Sequence, residues 1–482
     1  MSSQGKVVSN FIWRFAERTG AHIISFLVSV ILARLLDPSV YGTVALVTVF
    51  TAVLQVFVDS GLGNALIQKK DVDEIDFSSV FYFNIAVCLG LYALMFFLAP
   101  MISEFYSASE LTPVIRVLSL TVVISGIKNV QQAYVSRTLQ FKRFFWATLA
   151  GTLTSAVVGI LLALKGFGVW ALVAQHLTNL AIDTTVLWFT VRWRPVLKFS
   201  FSRLKTLLSF GWKLLVSSLL DKTYSELRQL LIGKIYTPSD LAFYNRGIQF
   251  PNFIVTNVNT SIDSVLLPVM SREQDNASLV RGMTRRAIKT STYIMAPLMI
   301  GLILLAEPAV SFVLTDKWLP CVPYLRIFCI TYLFYPIHTA NLNAIKAMGR
   351  SDLFLKLEVI KKIVGFILII VTVNISVMAM AYSLIVSSVL SQIINSWPNR
   401  KLLNYTYLEQ LKDIIPNILT ALLMGFFVWA VTLLHLSTII EVFIQIISGA
   451  VIYIICSKLF KIDSYEYVKQ MLKSLIYRTK AT

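Results

Sequence analysis

Apolar runs of about 20 residues follow one another along almost the whole chain, and that spacing leaves few folds open. Backbone N–H and C=O groups placed in hydrocarbon must bond within their own segment or within a closed barrel, so runs of this length become helices. Fourteen can be placed. Six lie near 14–36, 41–63, 77–101, 113–136, 144–164 and 169–190, and six more near 210–232, 241–269, 288–314, 322–345, 357–374 and 376–397. The last two lie near 413–434 and 438–458. Only 14% of the residues are charged, against about 25% in soluble domains, and no polar stretch is long enough to fold separately. The expected class is all-α, a polytopic membrane protein of about 14 transmembrane helices.

Lys and Arg test this placement independently, because they gather in short cytoplasmic loops. With the N-terminus inside, the inside segments hold 32 of the 43, from Lys6, Arg14 and Arg18 to the basic tail. The outside segments hold seven: Arg34, Arg116, Lys165, Lys234, Arg246, Lys317 and Arg326. Adding or removing a span would scramble that asymmetry, so both termini are expected inside. The formal charge of +18 is therefore read as loop charge and not as a nucleic-acid surface, since no basic domain with exposed aromatics exists to carry one. Met1 to Thr19 shows no apolar core followed by a cleavage site, so no removable signal peptide is expected.

The chain also repeats itself. Pro38-Ser39 returns as Pro238-Ser239, Asp59-Ser60 as Asp263-Ser264, and Asp71 as Asp275. Pro113-x-x-Arg116 returns as Pro323-x-x-Arg326, leading to Ile127 and Ile337. Matches in one order at a slowly drifting offset read as two lobes and not as a solenoid of short units. An even number of spans per repeat makes the lobes parallel. The expected division is an N-terminal lobe over 1–190, a basic interlobe linker over 191–209, and a C-terminal lobe over 210–397. Two additional spans over 398–458 and a basic cytoplasmic tail over 459–482 complete it. The tail has Tyr465, Val468, Leu472 and Leu475 at helical spacing among Lys461, Lys469, Lys473 and Arg478, the pattern of an amphipathic helix on the inner leaflet.

Polar residues inside spans are costly and usually face a cavity or a partner. In the first span Arg14, Glu17, Arg18, His22, Ser25 and Ser29 share one helical face, and in the seventh Lys213, Ser217, Asp221, Ser225 and Arg228 do, with Lys222 and Glu226 beside them. Second spans follow: Thr48, Thr51, Gln55 and Asp59 in one lobe, Asn245, Gln249, Asn252, Thr256, Asn259 and Asp263 in the other. Such faces, paired by the duplication, would enclose a wet cleft. The competing reading leaves Arg14, Glu17 and Arg18 at the interface, lets Lys213 and Arg246 snorkel, and makes part of the 221–228 cluster internal salt bridges. Lys128, among Asn129, Gln131 and Gln132, is a further buried cation.

Other chemistries find little support. Asp71-x-Asp73 resembles a glycosyltransferase metal motif only superficially and reads as a solvated acidic loop. Histidines 22, 176, 338 and 435 are scattered, and Cys88, Cys321, Cys329 and Cys456 read as buried small hydrophobes. Gly166 and Gly168 form a tight outside turn with no strand before it, not a phosphate loop. Pro251, Pro268, Pro297 and Pro336 read as kinks within spans eight to ten. No cofactor, metal or catalytic residue is expected.

Leu32-Ala-Arg-Leu-Leu-Asp-Pro-Ser-Val-Tyr-Gly42, followed by Asp59-Ser-Gly-Leu-Gly-Asn-Ala-Leu-Ile-Gln68, resembles the opening of the polysaccharide transporter (Wzx-type) family. Leu241-Ala-Phe-Tyr-Asn-Arg-Gly-Ile-Gln-Phe-Pro251 is similar to its second-lobe motif, nearest the branch containing colanic acid exporters. The resemblance covers nearly the whole chain. It implies the multidrug/oligosaccharidyl-lipid/polysaccharide superfamily, with two six-helix bundles alternating access around a central cavity in a bacterial cytoplasmic membrane. The implied cargo is a polyprenyl-pyrophosphate-linked oligosaccharide flipped from inner to outer leaflet for lipopolysaccharide, exopolysaccharide or capsule. A functional monomer is expected, with membrane lipids and polysaccharide polymerase or export proteins as partners.

An anionic pyrophosphate leaving water needs Lys or Arg to receive it. Arg14, Arg18, Lys128, Lys213, Lys222, Arg228 and Arg246, with Gln249 and Asn252, are therefore the candidate substrate-binding residues. Glu17, Asp59, Asp221, Glu226 and Asp263 would balance charge or carry a coupling ion. The alternatives are a multidrug or cation exporter of the same superfamily, a peptidoglycan lipid-precursor flippase, and a membrane glycan polymerase. The last usually devotes a long outside loop to catalysis, and the outside loops here are short.

Overall fold

A computed structural model describes residues 20–470 apart from 22, 60, 61, 70, 139, 435 and 436, and the regular structure among them is helical. Nine helical stretches among the described residues are long and apolar enough to cross a membrane, which makes the chain a multi-pass membrane protein. Where they are described, the apolar runs are helical, and those that miss this criterion are short or polar. The helix over Val169–Thr190 carries Gln175, His176, Asn179 and Asp183, and the one over Ser351–Thr372 carries Lys356, Glu358, Lys361 and Lys362.

Two compact units divide the chain, Met1–Ala242 and Phe243–Thr482. The first contains α1 (Ile23–Leu35), α2 (Pro38–Asp59), α3 (Leu62–Gln68), α4 (Glu74–Phe105), α5 (Leu111–Leu118) and α6 (Leu120–Arg137). It continues with α7 (Lys142–Leu164), α8 (Val169–Thr190), α9 (Phe201–Ile235) and the first residues of α10 (Pro238–Arg272). The sequence repeat sets the expected start of the second copy at 210, whereas packing keeps α9 with the first unit, where it lies along α2. The expected repeat boundary and the packing boundary thus differ.

One end of the first unit is held by polar capping. Asp73 caps α4, accepting from the backbone N–H of Ile75 and Asp76 at 3.1 and 2.9 Å, while the Asp76 carboxylate accepts from Asp73 N at 3.3 Å. Lys69 pairs with the fully buried Asp76 at 2.7 Å, and Arg203 pairs with Asp73. The Arg203 guanidinium holds the Asp73 carboxyl below the usual carboxylate range. The basic stretch after α8 docks here: Val196 N donates to Ser78 Oγ at 3.0 Å and Ser200 N to Ser79 Oγ at 2.9 Å. Trp193 is buried, with ring centroids 5.7 Å from Phe77 and 6.0 Å from Phe81, and Leu204 and Leu207 of α9 join the same core. At the other end of α7, Gly166 and Gly168 take the expected tight turn with φ of 78° and 53°.

The second unit holds the rest of α10, α11 (Ala277–Leu314), a 3₁₀ turn (Asp316–Cys321), α12 (Val322–Leu333) and α13 (Tyr335–Ala347). After these come α14 (Ser351–Thr372), α15 (Val377–Leu402), α16 (Tyr407–Val431) and α17 (Thr438–Leu459). The tenth apolar run is not one kinked helix. It breaks at Phe334, and Pro336 sits in the first turn of α13, where its missing N–H costs nothing. Pro251 and Pro268 do lie within α10, and Pro297 within α11. α16 is fixed by a buried amide network: Asn341 Nδ2 donates to Gln410 Oε1 at 2.7 Å, Asn399 Nδ2 to Asn341 Oδ1 at 2.6 Å, and Ser396 Oγ to Gln410 Oε1 at 3.0 Å. Asp413 takes both a bidentate pair from Arg285 at 2.7 Å and the Tyr405 hydroxyl at 2.7 Å. Residues 463–470 form a short helix, with Asp463 3.0 Å from Lys289 Nζ and the Tyr467 ring 5.0 Å from the Arg286 guanidinium. The part of the expected tail helix bearing Leu472, Lys473, Leu475 and Arg478 lies outside the described residues. All four cysteines are buried and unbridged.

Positions matched by the sequence repeat take similar local structure. Pro38 and Pro238 each open a helix, and Asp73 and Asn276 each cap the next long one. Arg116 Nε donates to Phe96 O at 3.2 Å, and Arg326 Nε to Ile303 O at 3.3 Å. The sharpest steric demand falls on Gly42, where a Cβ would lie 1.7 Å from Pro238 O. Gly42→Ala should force α2 and the start of α10 apart, lowering the melting temperature in detergent by several degrees, as overpacking of about 1–3 kcal/mol would. Gly90→Ala, where nothing lies within 4 Å, should leave it unchanged. Equal melting of the two variants would show that this crossing is not close-packed.

Candidate functional site

Each unit keeps a polar cavity inside its helices. In the first it measures about 450 Å³ and is walled by α1, α2, α5, α6, α7 and α8. Thr48, Thr51 and Gln55 supply the α2 face, Thr121 and Ser125 the α6 face, and Gln175, His176 and Asn179 the α8 face. Three- and four-residue spacing puts each set on one side of its helix. In the second unit the cavity measures about 320 Å³ and is walled by α10, α12 and α13. Asn252, Val255 and Asn259 line it from α10, and Tyr332, Tyr335, Thr339 and Asn343 from the broken pair.

The two linings are in register. Thr48, Thr51 and Gln55 correspond to Asn252, Val255 and Asn259 at a constant offset of 204, the offset of Asp59 from Asp263. Leu118, Thr121 and Ser125 correspond to Tyr332, Tyr335 and Thr339 at an offset of 214. The step from 210 at Arg116 to 214 has a physical cause, since α12 has 12 residues and α5 has 8, one extra turn. Ile127 therefore matches Asn341 and not Ile337. Position is conserved between the cavities, and chemistry is not: hydroxyls in the first become tyrosine rings and amides in the second.

Of the eight candidate residues whose side chains are described, Asn252 alone is among those lining either cavity. Arg14, Glu17 and Arg18 lie outside the described residues, and so do the side chains of Asp59, Lys213 and Asp263, whose backbones are helical. Lys128 is held by Asp183 of α8, with both side chains largely buried. Lys222 pairs with Glu226 at 2.6 Å along α9, and Gln229 donates to the same carboxylate at 2.6 Å. Arg228, two residues beyond that pair, is buried, and Asp221 is exposed. Arg246 is buried, donates to Gln249 at 2.6 Å and stands 5.0 Å over the Trp318 ring.

Sequence reasoning missed Asp183, Gln175, His176 and Asn179 on α8, and Tyr332, Tyr335 and His338 in the second unit. The signal was present as polar residues at helical spacing within apolar runs, all but Asp183 without the formal charge that drew notice elsewhere.

A membrane bundle duplicated in register, with a polar cavity kept in each copy, defines the class of multi-pass membrane transporters. Within that class the chain belongs to the polysaccharide biosynthesis protein family, matched over residues 31–323. It is 26% identical to the teichuronic acid biosynthesis protein TuaB of Bacillus subtilis (strain 168), over 63% of each chain. It is 26% identical to the succinoglycan biosynthesis transport protein ExoT of Rhizobium meliloti (strain 1021), over 67% of this chain and 66% of that one. The chain thus spans just under two thirds of the length of these two relatives. The lipopolysaccharide biosynthesis protein WzxC of Escherichia coli (strain K12) is 24% identical over 82% of this chain and 80% of its own. Among solved structures, the lipid II flippase MurJ in an inward closed conformation shares the fold, with a TM-score of 0.77 at 15% identity, covering 94% of this chain and 99% of MurJ.

The Lys128–Asp183 pair separates a bracing role from a ligand-binding one. Asp183→Asn leaves a buried cation without its counter-charge, which typically costs about 3–5 kcal/mol. It should lower the melting temperature well below that of the double variant Lys128→Met, Asp183→Leu. Equal loss of stability in both would show that the pair does not brace α6 against α8.

Proposed function

We propose that this protein flips a polyprenyl-pyrophosphate-linked oligosaccharide from the inner to the outer leaflet of a bacterial cytoplasmic membrane, for lipopolysaccharide, exopolysaccharide or capsule. The observation that carries this reading is the pairing of family membership over residues 31–323 with a polar cavity in each membrane-embedded unit. A glycan crossing hydrocarbon must exchange its water for protein hydrogen bonds, whereas its polyprenyl tail can stay in lipid. The names of TuaB, ExoT and WzxC place those relatives in polysaccharide biosynthesis. In this reading the protein transports by alternating access, performs no covalent chemistry on its cargo, works as a monomer, and has fourteen spans with both termini cytoplasmic.

Arg18 and Arg228 are the cations we assign to the pyrophosphate, joined by Lys222 when it exchanges Glu226 for phosphate. Lys128, held by Asp183, is reassigned to bracing the first unit. Asp59, Asp221 and Asp263 balance charge or carry a coupling ion. A ligand drives such a cycle only by binding one state more tightly than the other.

Deleting the gene should trap the lipid-linked repeat on the cytoplasmic face and stop export of the polysaccharide, with the wild-type gene restoring it. Lys222→Gln with Arg228→Gln, at matched membrane abundance and melting temperature, should cut export about tenfold or more, as loss of charge-assisted bonds of about 1.5–3 kcal/mol implies. Undiminished export by the double variant would overturn the headgroup assignment, and normal export by the deletion strain would overturn the function.

A further inference from the structure

The proposal rests on the flippase reading and sharpens it: we propose that the cavity of the second unit is a sugar-ring subsite, with Asn259 as its hydrogen-bonding centre and Tyr332 and Tyr335 as its ring-stacking wall.

Asn259 is the observation that points to a ligand. It is only 6% exposed and lines the cavity, yet among the described residues neither its Oδ1 nor its Nδ2 meets a hydrogen-bond partner. Buried amides are satisfied as a rule, so a donor and an acceptor left open on one side chain form a place for something else to bind. The complement of a carboxamide is a group that donates and accepts at neighbouring atoms. A vicinal diol of a pyranose does so.

The rest of the lining agrees with a sugar. Tyr332 and Tyr335 stand edge to face with centroids 5.9 Å apart, giving an apolar wall with polar rims for the C–H face of a ring. Asn252 and Thr256 add hydrogen-bonding capacity from the same face of α10. Among the described residues the lining carries no Asp or Glu, and Lys346 and His338 complete it. Its volume of about 320 Å³ lies at the lower end of small-molecule sites, enough for a short glycan and not for a whole repeat.

The in-register cavity of the first unit lacks this wall, because Leu118 and Thr121 stand where the tyrosines do. Glycan selectivity is thereby placed in one copy of the repeat.

The test uses the full chain in nanodiscs with two probes: bare undecaprenyl pyrophosphate, and the lipid-linked repeat extracted from the source bacterium lacking this gene. Wild-type protein should bind the glycan-bearing lipid more tightly. Asn259→Leu should remove about tenfold of that preference, the scale of a pair of lost hydrogen bonds, and leave the bare lipid's affinity unchanged. Tyr335→Ala, at a partly exposed position, should do the same, and Tyr335→Phe should retain the preference. Should both variants keep the full glycan preference, the cavity is only water-filled and the inference falls while the flippase reading stands. Should wild-type protein bind neither lipid, the flippase reading falls and takes this one with it.

Discussion

Polar groups inside an apolar bundle must meet each other or water, and most of this structure follows from how that demand is satisfied. Two solutions are used. Lys128 with Asp183, Arg285 with Asp413, and Asn341 with Gln410 and Asn399 close on themselves and tie helices together. Thr48, Gln55, Asn252 and Asn259 line cavities. The first group makes rigid units. The second leaves room for a polar cargo.

This distinction explains what could be read from the sequence. Helices, their order and the duplication were legible because hydrophobic run length and the positions of Pro38, Pro238, Arg116 and Arg326 are local signals. Even the cavity register lay in the numbers, since Asp59 and Asp263 share the offset that aligns Thr48 with Asn252. What could not be read was the partner of each charge. Asp183 lies 55 residues from Lys128, and no local pattern joins them. Formal charge drew attention to Lys128, Lys222 and Arg246, whose described contacts are with Asp183, Glu226 and Gln249 in turn. The described cavity walls are instead mostly uncharged, built largely from hydroxyls, amides and tyrosines, with Lys346 at the second.

The extra turn in α12 shows how a small insertion escapes sequence comparison. Four added residues rotate nothing by much, because four is close to one helical turn, so apolar matches such as Ile127 with Ile337 survive. Packing resolves the ambiguity, since only the offset of 214 puts equivalent residues on the two cavity walls. The same turn brings Tyr332 and Tyr335 to positions held by Leu118 and Thr121 in the first unit. Duplication thus supplied two similar frames, and side-chain divergence made their cavities chemically different.

The central claim is that this bundle moves a glycan-bearing lipid across a bilayer. The most direct measurement reconstitutes the purified protein in proteoliposomes holding its lipid-linked repeat, and follows the glycan's exposure to an added membrane-impermeant glycosidase. Protein-dependent cleavage of the lipid-linked glycan initially protected in the inner leaflet is the predicted result. Protection that persists at the protein-free level, in folded and correctly inserted protein, would contradict the account.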